Sequence, residues 1–157
     1  MAIAAATSAA ADELTATTVE ASALSPAAGS LMRLTAAVAD DVVISMGAAG
    51  WTEIAQVRSS AGLDRTLAAF RKFASAGESG TYTVNHDGAA NSFVTQISTY
   101  TGVDTGTPED VSAVTSSETS LTPNPPGVTT SASAAYVETV IYARGASLGF
   151  PNAPAGS

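Results

Sequence analysis

The sequence predicts an antiparallel all-β protein, folded as a sandwich or a barrel. Several short segments alternate apolar and polar residues, as strands with one buried face do, and turn residues separate them. Helical segments do not alternate with these strands, which argues against a parallel sheet crossed by helices. The chain of 157 residues has the length of one ordinary domain, so we expect a single hydrophobic core.

The first part of the chain divides into an arm and three short strands. Residues 1–14 are rich in alanine and carry few bulky side chains, so we expect an extended N-terminal arm that becomes ordered only against another surface. A single β-sandwich domain is predicted over residues 15–150. Its first strands are predicted at Thr15–Ser22, Leu31–Val38 and Val42–Met46.

The next two segments differ in how clearly their pattern can be interpreted. The alternation from Trp51 to Arg58 predicts a strand with one protected face and one mixed face. Leu63–Ala76 is ambiguous, because its bulky residues also recur at helical spacing. From periodicity and propensity alone, this segment is predicted to be an amphipathic helix.

A β-hairpin is the clearest local prediction in the chain. Strands are predicted at Thr81–His86 and Ser92–Thr101. Between them, the pair Asp87-Gly88 is typical of a tight hairpin turn, in which both residues adopt the left-handed backbone conformation.

The remaining segments are predicted from proline content and alternation. Residues 105–130 are rich in Pro, Ser and Thr and are predicted to form a surface excursion, with one short strand near Val111–Thr115. The last strand is predicted at Tyr136–Arg144. The C-terminal tail, residues 151–157, contains two prolines, which lack the donors that a central strand requires.

The charge of the chain excludes two classes of partner. Six Lys and Arg residues face 14 acids, giving a formal net charge of −8, whereas nucleic-acid binding requires clustered basic residues. Nucleic acid and an anionic membrane surface are therefore not expected partners. Cysteine is absent, which excludes disulfides and thiolate sites. Charged residues make up only 13% of the chain, which suits a protein packed into an assembly.

For each residue that could be catalytic or bind a metal ion, the sequence favours a structural role over a chemical one. His86, the only histidine, is predicted to be a solvated residue at the end of the hairpin, and the chain has no nucleophile elbow. Carboxylates could ligate calcium, but they lack the spacing of a calcium loop; these are Asp40, Asp41, Asp104, Glu109 and Asp110. We expect Asp104 to cap the turn that follows Val103. No catalytic, metal or cofactor residue is predicted.

The aromatic residues are predicted to belong to the core. Trp51 could stack on a sugar, but a single tryptophan at the start of a strand is more typical of a ring that closes one end of a sandwich. The tyrosines are interpreted in the same way, namely Tyr82, Tyr100, Tyr136 and Tyr142. Arg71 and Lys72 are neighbours on a strand, so they should point to opposite faces and cannot share a phosphate.

Three stretches of the chain share a spaced set of aromatic, glycine and turn residues, namely Gly50, Trp51, Thr52, Phe70, Lys72, Ala74, Tyr82, Thr83, Tyr100, Gly102, Val103, Asp104 and Pro108. In these residues the chain resembles a domain that recurs in bacteriophage virion proteins and in some secreted bacterial proteins. The resemblance spans roughly residues 35–150, with Asp40-Asp41 where the family favours Gly-Asp.

The resemblance implies a fold and a role. It implies a jelly-roll-like β-sandwich in which Leu63–Ala74 is a strand and not a helix. The implied role is that of a non-enzymatic virion protein, first of all a capsid decoration or cement protein that contacts the major capsid protein or further copies of itself as a homo-oligomer. The alternative is a tail, neck or fibre component whose sandwich binds carbohydrate.

Overall fold

The computed structural model describes residues 4–22, 25–60, 64–115, 126–131, 135, 137–138 and 140. Within these ranges the protein contains eight strands and no helix, and so has no helix that could cross a membrane. The strands are β1 (Ala4–Ala16), β2 (Thr18–Ser22), β3 (Leu31–Val38), β4 (Ile44–Met46), β5 (Thr52–Ser59), β6 (Arg65–Phe73), β7 (Thr81–His86) and β8 (Asn91–Thr101).

The strands form two antiparallel sheets packed face to face, which confirms the all-β sandwich. The larger sheet has the order β1-β8-β3-β6-β5 and the smaller has the order β2-β7-β4. Three of the pairs are nested along the chain, because β1 pairs with β8, β2 with β7, and β3 with β6. The first and third of these pairs lie in the larger sheet and the second lies in the smaller, so the paired strands alternate between the two sheets.

The core lies between the inner faces of the two sheets. Alternate residues of β3, β6 and β8 point inward, and Leu34 and Phe93 are completely buried. Val19 and Val84 of the smaller sheet pack against them. Burial of these side chains, at about 25 cal/mol per Å² of apolar surface, is the main contribution to stability.

Several predicted strands are confirmed, two of them to the residue. The predicted bounds of Leu31–Val38 and Thr81–His86 coincide with β3 and β7. The helix predicted from periodicity at Leu63–Ala76 is wrong, because the described part of that segment contains β6. The strand that the resemblance implies at Leu63–Ala74 is confirmed over Arg65–Phe73. In β6, burial alternates with the period of two of a central strand, which bonds β3 on one side and β5 on the other.

The predicted hairpin is wrong, although both of its strands exist. β7 lies in the smaller sheet and β8 in the larger, so the Asp87-Gly88 turn carries the chain from one sheet to the other. Neither turn residue has a positive φ. A Cβ atom on Gly88 would lie only 2.3 Å from Cγ1 of Val42. Glycine is therefore required there by close packing and not by left-handed backbone.

The N-terminal arm requires a second correction. From Ala4 to Ala16 the segment forms β1 and pairs along its length with β8 of the same chain, so it does not need another molecule to become ordered. The boundary predicted at residue 14 falls inside this strand. Backbone hydrogen bonds to β8 supply the order that its small side chains alone would not.

The corner between β1 and β2 is held by His86. The chain bends at Thr17, where it leaves the larger sheet and enters the smaller. The backbone N–H of His86 donates to the Thr17 carbonyl at 3.0 Å, and its ring Nε2 lies 2.8 Å from the Ala16 carbonyl oxygen. These two bonds satisfy carbonyl groups that the change of sheet removes from the ladder.

The side chain of Gln56 joins the two sheets at the opposite edge. The backbone N–H of Ile44 in β4 donates to Oε1 of Gln56 at 3.0 Å, and Nε2 of Gln56 donates to the Ile44 carbonyl at 3.2 Å. A neighbouring strand would make the same pair of bonds. The amide therefore stands in for a ladder between β4 and β5.

We expect Gln56→Leu to lower the free energy of unfolding by about 1–3 kcal/mol, because both backbone groups of the buried residue Ile44 lose their partner. Urea denaturation measures the change. Gln96→Leu, at an exposed position of β8, is the matched control. Equal losses in the two variants would contradict a special role for Gln56.

The segments that follow β8 are described only in part. No strand occurs at Val111–Thr115, although a short one is predicted there. Of the predicted strand Tyr136–Arg144, only Val137, Glu138 and Val140 are described, and none of them is in a strand. The rest of that strand and the tail at 151–157 lie outside the described residues.

Candidate functional site

The most elaborate cluster of polar and aromatic side chains lies at one end of the sandwich. It contains Trp51 at the entrance to β5, Lys72 in β6, Glu78 in the following turn and Tyr82 in β7. We call these four residues the Trp51 cluster. It brings together segments from both sheets, and all but Glu78 belong to motifs that the sequence singled out.

The side chain of Lys72 runs past Gly50 to the other members of the cluster. Gly50 has a φ of 88°, a conformation that other residues rarely adopt. The side chain of Lys72 lies against this glycine, because a Cβ atom at residue 50 would be 3.4 Å from Cε of Lys72. The ammonium group then reaches Glu78 at 2.7 Å and lies 5.3 Å from the centre of the Tyr82 ring.

Glu78 accepts three hydrogen bonds in this cluster. They come from the Lys72 ammonium group, from the Tyr82 hydroxyl and, at 3.0 Å, from the backbone N–H of Ser75. The bond from Lys72, followed by those from Tyr82 and Ser75, lowers the pKa of Glu78 from 4.5 to about 2. Burial and the bond to Glu78 raise the pKa of Tyr82 well above its usual value.

The lowered pKa of Glu78 predicts an acid-sensitive contribution to stability. The carboxyl would be protonated near pH 4.5 in the unfolded chain and only near pH 2 in the folded one. The stabilisation is therefore present above about pH 4.5 and is lost as the pH falls towards 2. We expect Glu78→Gln to flatten this acid limb in urea denaturation, and Tyr82→Phe to flatten it less. An acid limb that is unchanged in Glu78→Gln would contradict this account.

Trp51 is a core residue of this cluster. Its side chain is partly buried against the hydrophobic core, and its ring meets that of Tyr82 edge to face, with 5.2 Å between ring centres. The indole N–H is buried and has no hydrogen-bond partner among the described residues. Tyr82 and Tyr100 are also buried. This agrees with the core interpretation, while Tyr136 and Tyr142 lie outside the described residues.

His86 is not the solvated residue that the sequence predicts. It is only 6% exposed and meets Phe93 edge to face, with 5.0 Å between ring centres. Nδ1 accepts a bond from the Gly88 N–H at 3.3 Å, so Nε2 carries the proton that is donated to Ala16. Both ring nitrogens thus hold backbone groups. The physical reason for the error is the change of sheet after β7, which places this residue inside the sandwich.

The carboxylates considered as calcium ligands serve separate purposes. Asp41 binds Arg58 at 2.8 Å, and Glu109 binds Arg71 at 3.0 Å. Asp104 accepts bonds from the Gly106 N–H and the Thr107 hydroxyl, and the Gly106 bond is the main cause of its lowered pKa. Asp104 thus caps the turn as expected. In the described part of the chain, no three His, Asp or Glu side chains are close enough to hold a metal ion.

The remaining acids and the adjacent pair of basic residues are placed as follows. The side chain of Asp40 accepts a bond from the Asp41 N–H, and Asp110 accepts two bonds from Ser131 at 2.5 Å. Lys72 contributes to the Trp51 cluster, while Arg71 turns to the opposite face of β6 and meets Glu109. The two basic residues therefore lie on opposite faces, as predicted.

Two important residues were missed by the sequence analysis. Glu78 stands in a turn between two glycines, where an acid is ordinary, and Gln56 follows a strand pattern without any local mark. Thr66 shows the same kind of role, because its buried hydroxyl accepts from the Val42 N–H at 3.1 Å and lies within donating distance, 2.9 Å, of the carbonyl oxygens of Asp40 and Val42. Such roles depend on contacts between distant strands, which local patterns do not encode.

Two shallow depressions lie on the larger sheet. One, of about 360 Å³, is lined by Glu53, Arg71 and Glu109 and is mostly polar. The other, of about 450 Å³, lies on the outer face between Ala10, Val94 and Val140. The described residues that line them include no arrangement of nucleophile and base.

Comparison with known proteins yields no match. No protein-family model matches the chain, and no curated protein and no solved structure match it either.

Proposed function

We propose that this chain is a structural protein of a bacteriophage particle, most specifically a decoration or cement protein of the capsid surface. The observation that carries the proposal is the Trp51 cluster. Motif residues from three separate stretches, Gly50-Trp51, Lys72 and Tyr82, pack as one unit at the end of the sandwich. Residues that act together as scaffold are what the resemblance to virion domains leads us to expect.

We further infer that the sandwich is wound as a jelly roll. The nested pairs β1–β8, β2–β7 and β3–β6 support this inference, and so does the Gln56 amide, which occupies the place of a β4–β5 ladder. Eight-stranded jelly rolls occur in viral capsid and lectin domains. Fold analogy alone does not choose between these two uses.

The chemistry of the described residues favours a role through contacts. Lys72 and Glu78 are ion-paired, Tyr82 donates to Glu78, and both nitrogens of His86 hold backbone groups, so these polar groups are engaged in structure. A surface with few charges can be buried without desolvating many ions. Interfaces of about 1,200–2,000 Å², repeated over many copies, would stabilise a particle through avidity.

We infer that the segment after β8 makes the contacts with neighbouring proteins of the particle. In residues 105–115 and 126–131 most side chains are exposed. The segment is held to the sandwich by the Arg71–Glu109 ion pair, and Asp110 binds Ser131 across its base. The described residues of this segment therefore combine exposed surface with an attachment to the larger sheet. The N-terminal segment, which forms β1, is not assigned this role.

Mass spectrometry of purified particles tests the proposal. A decoration protein should be present at on the order of hundreds of copies per particle, because it repeats with the capsid lattice. A tail, neck or fibre protein should be present at about three to twelve copies, following the symmetry of those parts. Absence of the chain from particles would refute both assignments.

The second candidate function is carbohydrate recognition by a tail, neck or fibre component. Its support is that Trp51 is only partly buried and stands at one end of the sandwich. A glycan array with wild type and Trp51→Ala tests it, with thermal unfolding of both proteins to show that the variant folds. As Trp51 packs into the core, we expect no sugar signal that depends on it. Glycan binding that a folded Trp51→Ala variant loses would favour the second candidate.

A further inference from the structure

The two sheets have four edges, and three of them are protected against pairing with another molecule. The β2 edge is short and carries Glu20, and the β4 edge has three residues, one of them bonded by Gln56. The β5 edge has a bulge between Glu53 and Ala55 and carries the charge of Arg58. Short length, charges and bulges are the usual means by which proteins blunt sheet edges.

The β1 edge lacks such protection between Thr7 and Ala11, because its two register irregularities lie outside that stretch, between Ala5 and Thr7 and between Glu13 and Ala16. β1 has 13 residues without proline, lysine or arginine, and among the described strands it pairs only with β8. Its register with β8 is regular from Thr7 to Glu13, and the charges are confined to Asp12 and Glu13 at one end. A long strand of this kind presents a row of backbone donors and acceptors on its outer side.

The position of the acids selects one way of pairing. The uncharged stretch Thr7–Ala11 is centred on Ala9. If two copies pair antiparallel about Ala9, their Asp12 carboxylates are separated by about 20 Å, at about 3.4 Å per residue. That distance exceeds the Debye length of about 8 Å in physiological salt. Parallel pairing would place these acids side by side, which is unfavourable.

We propose that the outer edge of β1, which no described strand occupies, pairs with β1 of a second copy of this chain, antiparallel across a two-fold axis near Ala9. The two five-stranded sheets would then form one continuous sheet across the dimer. The contact is isologous, as a closed dimer requires. It involves backbone groups that β8 does not use, so each copy keeps its own β1–β8 ladder.

Sedimentation equilibrium of the isolated protein tests the dimer. Wild type should dimerise, and Ala10→Lys should weaken dimerisation by about tenfold or more, because lysine at an edge opposes pairing. Ala48→Lys introduces the same charge at an exposed residue after β4 and is the matched control. A monomeric wild type, or equal affinities in the two variants, would refute the proposal.

Single cysteines locate the axis, since the natural chain has none. Under mild oxidation, Ala9→Cys should link two copies faster than Thr52→Cys on the β5 edge, because disulfides require Cα atoms within about 7 Å. Equal rates would refute the two-fold pairing. If Ala10→Lys does not fold, this test still measures the pairing of β1, because Ala10 is unchanged in Ala9→Cys.

A double variant distinguishes edge pairing from exchange of β1 between copies. Ala10 lies opposite Gln96 in the β1–β8 ladder. In Ala10→Cys/Gln96→Cys, edge pairing leaves the disulfide within one chain, whereas exchange links two chains. Linked chains would overturn the proposal. The inference does not depend on a particle location, because all three tests use isolated protein, so its failure would leave the proposed function standing.

Discussion

Phe93→Ala is expected to lower the free energy of unfolding by about 3–5 kcal/mol, since it removes a large side chain from a rigid core. Phe93 is completely buried on the inner face of β8 and meets the ring of His86 in β7. It therefore joins the two sheets at the point where the chain passes between them. Such a loss is a large part of the 5–15 kcal/mol that typically stabilises a domain.

Urea denaturation of Phe93→Ala and Val94→Ala measures this contribution. Val94 is the next residue of the same strand, points to the outer face and is 38% exposed, so its truncation should cost less than about 1 kcal/mol. Similar losses in both variants would mean that β8 does not have the inner and outer faces described above.

Gly88→Ala is expected to cost about 1–3 kcal/mol, because the new methyl group would overlap the side chain of Val42. Val42 is buried and cannot easily move. The reason is steric, so Gly88→Asn should be at least as destabilising. In a hairpin turn with left-handed backbone, asparagine would instead be well tolerated.

A double-mutant cycle isolates the contact between Gly88 and Val42. In a Val42→Ala background, the methyl group of Gly88→Ala has room, so its cost should fall substantially. Gly127→Ala, whose methyl group would meet no atom of the described residues within 4 Å, is the control and should be nearly neutral. If Gly88→Asn is tolerated, or the cost is the same with and without Val42, the packing argument is wrong.

The positions of most strands could be predicted from local patterns, but their partners could not. Alternation in Leu31–Val38 and Thr81–His86 reports which side chains face a core, and that is a local property. The Asp87-Gly88 pair is equally typical of a hairpin and of a crossing between sheets. Which one occurs depends on β2 and β4, which take both sides of β7.

The limits of prediction at the Trp51 cluster have a similar cause. The sequence indicates that Trp51 and Tyr82 belong to the core, because aromatic residues in strand patterns usually do. It does not indicate that Glu78 would hold Lys72 and Tyr82 together, since that depends on how β6 and β7 face each other. The predicted N-terminal arm is rich in alanine, and that composition does not indicate the strand at Ala4–Ala16, whose order comes from backbone pairing with β8.

We propose that the protein stabilises a phage particle through contacts and not through a reaction. The most direct test removes the protein from purified particles, adds back the isolated chain, and measures the temperature at which the particles release DNA. We predict that stripped particles release DNA at a lower temperature and in low salt, and that added protein restores the original resistance. Stripped particles that resist heat and low salt as well as intact ones would contradict the claim.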